Sequence, residues 1–134
     1  MKIIIYTDGA SRGNPGPASY GFLIKDSQGK IIFEEGEYLG ITTNNFAEYS
    51  AVLNALEYVF KNFKKNPMEI SFYMDSKLVV EQLSGRFKIK SLNLIPLILK
   101  IKQLEENLKV TYQHVRREFN KEADFLANQA LDNR

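Results

Sequence analysis

Four acidic side chains stand where they could act together. Asp8 ends the apolar run Ile3-Ile4-Ile5-Tyr6-Thr7, and Asp75 ends a second run, Ile70-Ser71-Phe72-Tyr73-Met74. Glu48 is the first member of a stripe (Glu48, Val52, Ala55, Val59) that is otherwise apolar and falls on one helix face. Asp124 lies beside the apolar face Ala123, Leu126, Ala127, Ala130, Leu131. Singly, each has a plain reading: a turn former or cap for the aspartates at strand ends, a dipole-complementing residue for Glu48 and Asp124 in first helical turns. Together they are a group of carboxylates that cannot all ionise cheaply at close range. Hard divalent cations prefer such oxygen ligands, so the expected site is a metal centre holding Asp8, Glu48, Asp75 and Asp124. Two ions bound there, Mg²⁺ or Mn²⁺ as a substitute, can activate water and stabilise the leaving oxygen of a phosphodiester.

The elements that must hold these acids follow from the pattern. Residues 2–8 read as a strand buried on both faces. Gly9 to Pro17 is dense in turn formers, and Ser19–Lys25 and Lys30–Leu39 read as two further strands joined by the hairpin signal Asp26-Ser27-Gln28-Gly29. A helix is expected from about Asn45 to Phe60, ending over Asn62–Pro67, then a strand over 69–75. Ser76 should cap a helix from Lys77 to Leu83. Another helix over Leu94–Leu108 tolerates Pro96 in its first turn, a strand follows over Lys109–Val115, and a last helix carries Asp124. The right-handed crossover rule and the meander favour an α/β fold: a five-stranded mixed sheet in the order 3-2-1-4-5, strand two antiparallel, with helices on both faces. The first and fourth strands are then neighbours, and their two acids share one edge, where open α/β sheets place their sites.

Bulk properties bound the class. The chain has 134 residues, 44% hydrophobic and 25% charged, which fits one domain, 1–134, with its own core. It has no cysteine, hence no thiolate ligand or nucleophile. No apolar stretch approaches the roughly 18 residues of a membrane span, and Met1-Lys2 leads straight into a strand without signal-peptide architecture. A cytoplasmic monomer is the expectation. The net charge of +2 does not by itself announce nucleic-acid binding, so the basic residues must be read by position.

Four segments in order, Tyr6-Thr7-Asp8-Gly9-Ala10-Ser11-Arg12-Gly13-Asn14-Pro15-Gly16, Thr43-Asn44-Asn45-Phe46-Ala47-Glu48-Tyr49, Asp75-Ser76 and Asn120-Lys121-Glu122-Ala123-Asp124-Phe125-Leu126-Ala127-Asn128, resemble type 1 ribonuclease H. The resemblance runs from residue 3 to about residue 131. It implies the ribonuclease H-like fold and a metal-dependent endoribonuclease that cuts the RNA strand of RNA–DNA hybrids, leaving 5′-phosphate and 3′-hydroxyl ends. Asp8, Glu48, Asp75 and Asp124 match the family's metal-binding acids. Asn14, Asn44 and Asn45 match positions that contact the RNA minor groove, where neutral groups can read 2′-hydroxyls, and Thr43 matches one that touches a DNA phosphate. The plain readings stay beside these: a turn residue for Asn14, cap residues for the other three. Gly9 and Ser76, which adjoin the acids, and Arg12, Arg86, Lys88 and Lys90, which could hold phosphates, complete the expected substrate-binding set.

Two departures matter. The best-known family members carry a histidine in a long loop before the last acid. Here Val115–Asn120 is short and lacks one, while His114 belongs to the preceding strand. The pattern resembles a short-loop subgroup, and Arg117 is the expected electrostatic substitute. It cannot shuttle protons, because guanidinium does not deprotonate. The basic, tryptophan-containing handle of several members is also missing; only residues 84–93 are available for it and the chain has no tryptophan. Activity on double-stranded RNA is compatible with this pattern. Two other readings remain open on the residues: a non-catalytic nucleic-acid binder, and a nuclease of the transposase, integrase or Holliday-junction kind that shares the fold.

Overall fold

The computed structural model describes residues 1–63, 69–86, 88 and 91–134. In chain order the elements are β1 (Lys2–Ser11), β2 (Gly16–Asp26), β3 (Ile31–Thr42), α1 (Asn44–Asn62), β4 (Glu69–Met74), α2 (Lys77–Leu83), α3 (Ile95–Glu105), β5 (Lys109–His114) and α4 (Lys121–Asp132), with a 3₁₀ turn over Arg117–Phe119. The strands form one sheet in the order β3-β2-β1-β4-β5. β2 is antiparallel to both neighbours, whereas β4 is parallel to β1 and to β5.

The boundaries depart from the sequence pattern where turn-forming composition hides pairing. β1 runs on through Gly9, Ala10 and Ser11, which pair with Tyr20, Ser19 and Ala18, so the expected long loop is only a tight reversal. α3 is shorter than expected and ends in a turn before Leu108. The Asp26 hairpin forms as read: its carboxylate accepts from the Gln28 and Lys30 N–H groups at 2.9 Å each, and Gly29 takes φ +86°. The end of α1 is seen only to its cap at Phe63; the rest of the expected Asn62–Pro67 stop lies outside the described residues.

The two sheet faces are covered differently. Ile3, Ile5, Phe22, Ile24, Ile70, Phe72 and Met74 point to one face and are buried under α1, α2 and α3. α4 covers the other face over β1, β2 and β3. It sits close because Gly21 and Gly36 lack side chains: a Cβ at Gly21 would stand 2.6 Å from the Ala127 nitrogen, and one at Gly36 2.4 Å from the Leu126 carbonyl. Ser19 donates to the Ala127 carbonyl in the same contact. None of the described helices is long and apolar enough to cross a membrane.

Candidate metal centre and substrate face

β1 outruns β4. Their pairing stops at Tyr6 and Tyr73, and β4 itself ends at Met74, so Asp75 leaves the sheet beside Asp8. Glu48 arrives from α1 on the opposite face. It can do so because Gly9 has no side chain: a Cβ there would lie 2.6 Å from the Glu48 nitrogen. Carboxylate oxygens of Asp8, Glu48 and Asp75 all fall within 4.8 Å of one another. Asp124, from the first turn of α4, stands outside this trio but adjoins Asp8 and raises its pKa. Its carboxylate is held by the Asn128 amide at 3.1 Å.

The trio is electrostatically strained without a cation. Burial, then the charges of Glu48 and Asp75, push Asp8 up to about 10. Burial and the charge of Asp75 push Glu48 up to about 8, against the opposing pull of a Gly9 N–H, a hydrogen bond with Asp8 and the charge of Arg117. Buried carboxylates normally find donors, yet Glu48 Oε2 has no partner. An oxygen-only donor set that is partly buried, costly to ionise and includes a carboxylate with an unpartnered oxygen fits a hard divalent cation.

Asn120 was not anticipated as part of the site. It is 1% exposed, and its amide donates to the Thr7 carbonyl at 2.9 Å and approaches Asp75 Oδ2 at 3.5 Å. It therefore braces the ends of β1 and β4 against the start of α4. Its place in the motif was visible, but its burial was not, because Arg116–Asn120 reads as a polar loop.

Of the expected substrate residues, Asn14, Thr43, Asn44 and Asn45 meet at the start of α1. Asn14 Oδ1 accepts from the Asn44 N–H at 3.0 Å, tying the β1–β2 reversal to the start of α1. Thr43 is the N-cap of α1, its hydroxyl accepting from Phe46 at 3.1 Å, and Asn45 lies in the first turn. Ser76 caps α2 through Val79 at 3.3 Å and directly follows Asp75. So the capping roles of Thr43 and Ser76 are real and sit beside the acids. Arg117 is exposed in the 3₁₀ turn, and its charge reaches Glu48. Arg12 pairs with Asp132 and Arg86 with Glu81, both on the surface. Lys88 is exposed, and Lys90 lies outside the described residues. His114 is the last residue of β5, level with Met74 and exposed. A cavity of about 370 Å³ lies away from the acids between α2, α3 and β5; Lys102 and Glu105 on its wall pair with each other.

A family model described as reverse transcriptase-like matches residues 6–130. The chain is 33% identical over 151 residues to a ribonuclease H of Chlorobium phaeobacteroides strain BS1, covering 98% of this chain and 97% of that one. It is 39% identical to ribonuclease HI of Halobacterium salinarum, covering 98% of this chain and 65% of that protein. It is 40% identical to the bifunctional protein Rv2228c of Mycobacterium tuberculosis, again over 98% of this chain but only 36% of the longer relative. Among solved structures, LC11-RNase H1 in complex with an RNA/DNA hybrid superposes with a TM-score of 0.92 at 42% identity, covering 98% of this chain and 97% of that one. RNase H1 from Halobacterium salinarum NRC-1 gives 0.92 at 37% identity, with both chains covered in full. With the acid trio, the sheet order and these matches in place, the chain belongs to the ribonuclease H family.

Proposed function

We propose that residues 1–134 act as a single catalytic domain that hydrolyses the RNA strand of RNA–DNA hybrids, leaving 5′-phosphate and 3′-hydroxyl ends. The observation that carries this reading is the Asp8–Glu48–Asp75 trio within 4.8 Å, with an orphaned Glu48 oxygen. Asp8, Glu48, Asp75 and Asp124 hold two divalent cations, Mg²⁺ with Mn²⁺ as a substitute, which supply the charge that stabilises the attacking and departing oxygens of the phosphodiester. The chain's own part is positional. Gly9 admits Glu48, and Asn120 fixes Asp75. Asn14, Asn44 and Asn45 read the 2′-hydroxyls of the RNA strand in the minor groove, and Thr43 meets a phosphate of the DNA strand. Ser76 and Gly9 present backbone and hydroxyl groups beside the scissile phosphate.

Arg117 places a permanent positive charge beside Glu48, where negative charge builds up on the departing oxygen. Arg12 and Arg86 are held only in exposed ion pairs, which contribute little, so they are free to exchange their partners for backbone phosphates alongside Lys88. Double-stranded RNA presents the same 2′-hydroxyls to the asparagine rim and is the second substrate of this reading. The domain works as a cytoplasmic monomer of the short-loop subgroup. The family match and the hybrid bound to LC11-RNase H1 support the substrate assignment.

The test is a panel of end-labelled RNA–DNA hybrid, double-stranded RNA and DNA duplex, each with Mg²⁺, Mn²⁺ or chelator. The expected result is metal-dependent cutting of the hybrid's RNA strand, slower cutting of double-stranded RNA, and an intact DNA duplex. No cut RNA strand with either metal sinks the reading.

A further inference from the structure

Among the described residues, the face of the sheet that α4 covers over β1–β3 is largely uncovered over β4 and β5. Registered rows cross it: Ile4, Ser71 and Thr111, then Tyr6, Tyr73 and Gln113. Ile4, Tyr6, Ser71 and Tyr73 are only half-buried, and Thr111 and Gln113 are exposed, while the residues alternating with them on β1 and β4 are buried. The two tyrosine rings stack at 5.3 Å, with Lys25 Nζ 5.2 Å from the Tyr6 ring centroid. Phe119 stands at the margin 63% exposed, the Arg116 guanidinium 5.8 Å from its ring centroid, and a cleft of about 70 Å³ separates it from Tyr6. An open strand face with half-exposed aromatics and a cationic margin is the chemistry by which single-stranded nucleic acid is held, base on ring.

The position of this face matters as much as its composition. Asp8 follows Tyr6 by two residues within β1, roughly 6.6 Å along the strand and on the same side, and Asp75 comes two residues after Tyr73, just past the end of β4. The platform therefore abuts the acids. Resting on the hybrid-nuclease reading, we propose that it binds a single-stranded continuation of the RNA strand beyond the hybrid. Lys25 and Arg116 pair with Glu122 and Glu118 at 3.1 Å each, so charge is nearly balanced here and stacking carries the contact. Its salt dependence should be shallow beside that of the duplex.

The experiment compares a short blunt hybrid with the same hybrid carrying an oligouridine extension on its RNA strand, in separate 5′ and 3′ arms, and on its DNA strand as a control. The expected result is a KM lower by about fivefold or more for one RNA-extended arm, with kcat unchanged. Tyr73→Ala and Phe119→Ala should remove that advantage and leave blunt-hybrid cleavage intact. Gln113→Glu, at an exposed position, should do the same without touching the core. Separately, the chain has seven tyrosines and no tryptophan, so oligouridine alone should quench tyrosine emission, and Tyr73→Ala should reduce the quenching. That readout needs no cleavage, so it separates failure of the platform from failure of the nuclease reading. Equal KM on blunt and RNA-extended hybrids overturns the proposal. So does an effect that survives Tyr73→Ala and Gln113→Glu, or one that the DNA extension reproduces in full.

Discussion

Asp8 and Glu48 carry opposite consequences for stability and for activity. Both are raised, so without metal the native state binds more protons than the unfolded chain between the ordinary carboxylate range and about 8 for Glu48 or about 10 for Asp8. Their favourable contribution is complete below about pH 4 and is lost as pH climbs toward those values. Metal-free protein should therefore lose thermal stability from pH 4 to pH 9, and divalent cation should restore it. Asp8→Asn should raise the metal-free stability at pH 8–9 by roughly 2 kcal/mol, with no gain at pH 4, while abolishing cleavage. Calorimetric melts across pH check this; a destabilised Asp8→Asn protein at high pH would contradict it. Arg117→Ala should lower kcat by about 10- to 100-fold with little change in melting temperature, because the side chain is exposed. An unchanged steady-state rate removes Arg117 from the machinery. At this scale the meeting of Asp8, Glu48 and Asp75 was legible, since each ends or opens an apolar pattern. Asn120 was not, because burial of a loop asparagine depends on β1, β4 and α4 meeting, which no local pattern encodes.

The elements position these side chains through close approach rather than through bulk. At Gly9 and Gly21 a Cβ would stand 2.6 Å from backbone nitrogens of α1 and α4, and these two contacts bring Glu48 and Asp124 to Asp8 from opposite faces. Gly21→Ala should cost about 1–3 kcal/mol of stability by overpacking, and Gly9→Ala should in addition weaken metal-dependent stabilisation. Gly29→Ala is the instructive contrast, strained by φ +86° yet with nothing within 4 Å, so it should spare the metal response. Urea titrations with and without Mg²⁺ separate these outcomes. Thr43→Ala and Ser76→Ala should each cost about 1 kcal/mol as lost caps, with an added loss in hybrid affinity at Thr43. The helices and strands were legible from their periodicity and caps. The extension of β1 through Gly9–Ser11 was not, because its glycine and serine pair with β2 for reasons of topology that local composition masks.

Among the described residues the sheet is asymmetric: one face is sealed by three helices, the other is sealed by α4 over β1–β3 only, and the acids emerge at the strand ends. Sheet order, strand directions and the placement of helices on both faces followed from the order of elements and crossover handedness. The open face over β4 and β5 did not, since it depends on where α4 stops. Without a tryptophan handle, and with Arg12, Arg86 and Lys88 as the proposed phosphate contacts, grip on the duplex would rest on few cations. With about three such contacts, hybrid cleavage below saturation should fall by only about 20-fold for a threefold rise in salt, while kcat at saturating substrate holds. The most direct measurement is single-turnover cleavage of a labelled RNA–DNA hybrid by the parent protein, Asp8→Asn and Asp75→Asn in Mg²⁺, with the ends of the products identified. The expected result is cutting of the RNA strand to 5′-phosphate and 3′-hydroxyl ends by the parent, and a loss of at least about 1000-fold in either variant. Either variant cutting as fast as the parent, or parent cleavage that persists in chelator, would contradict a metal-dependent acid centre.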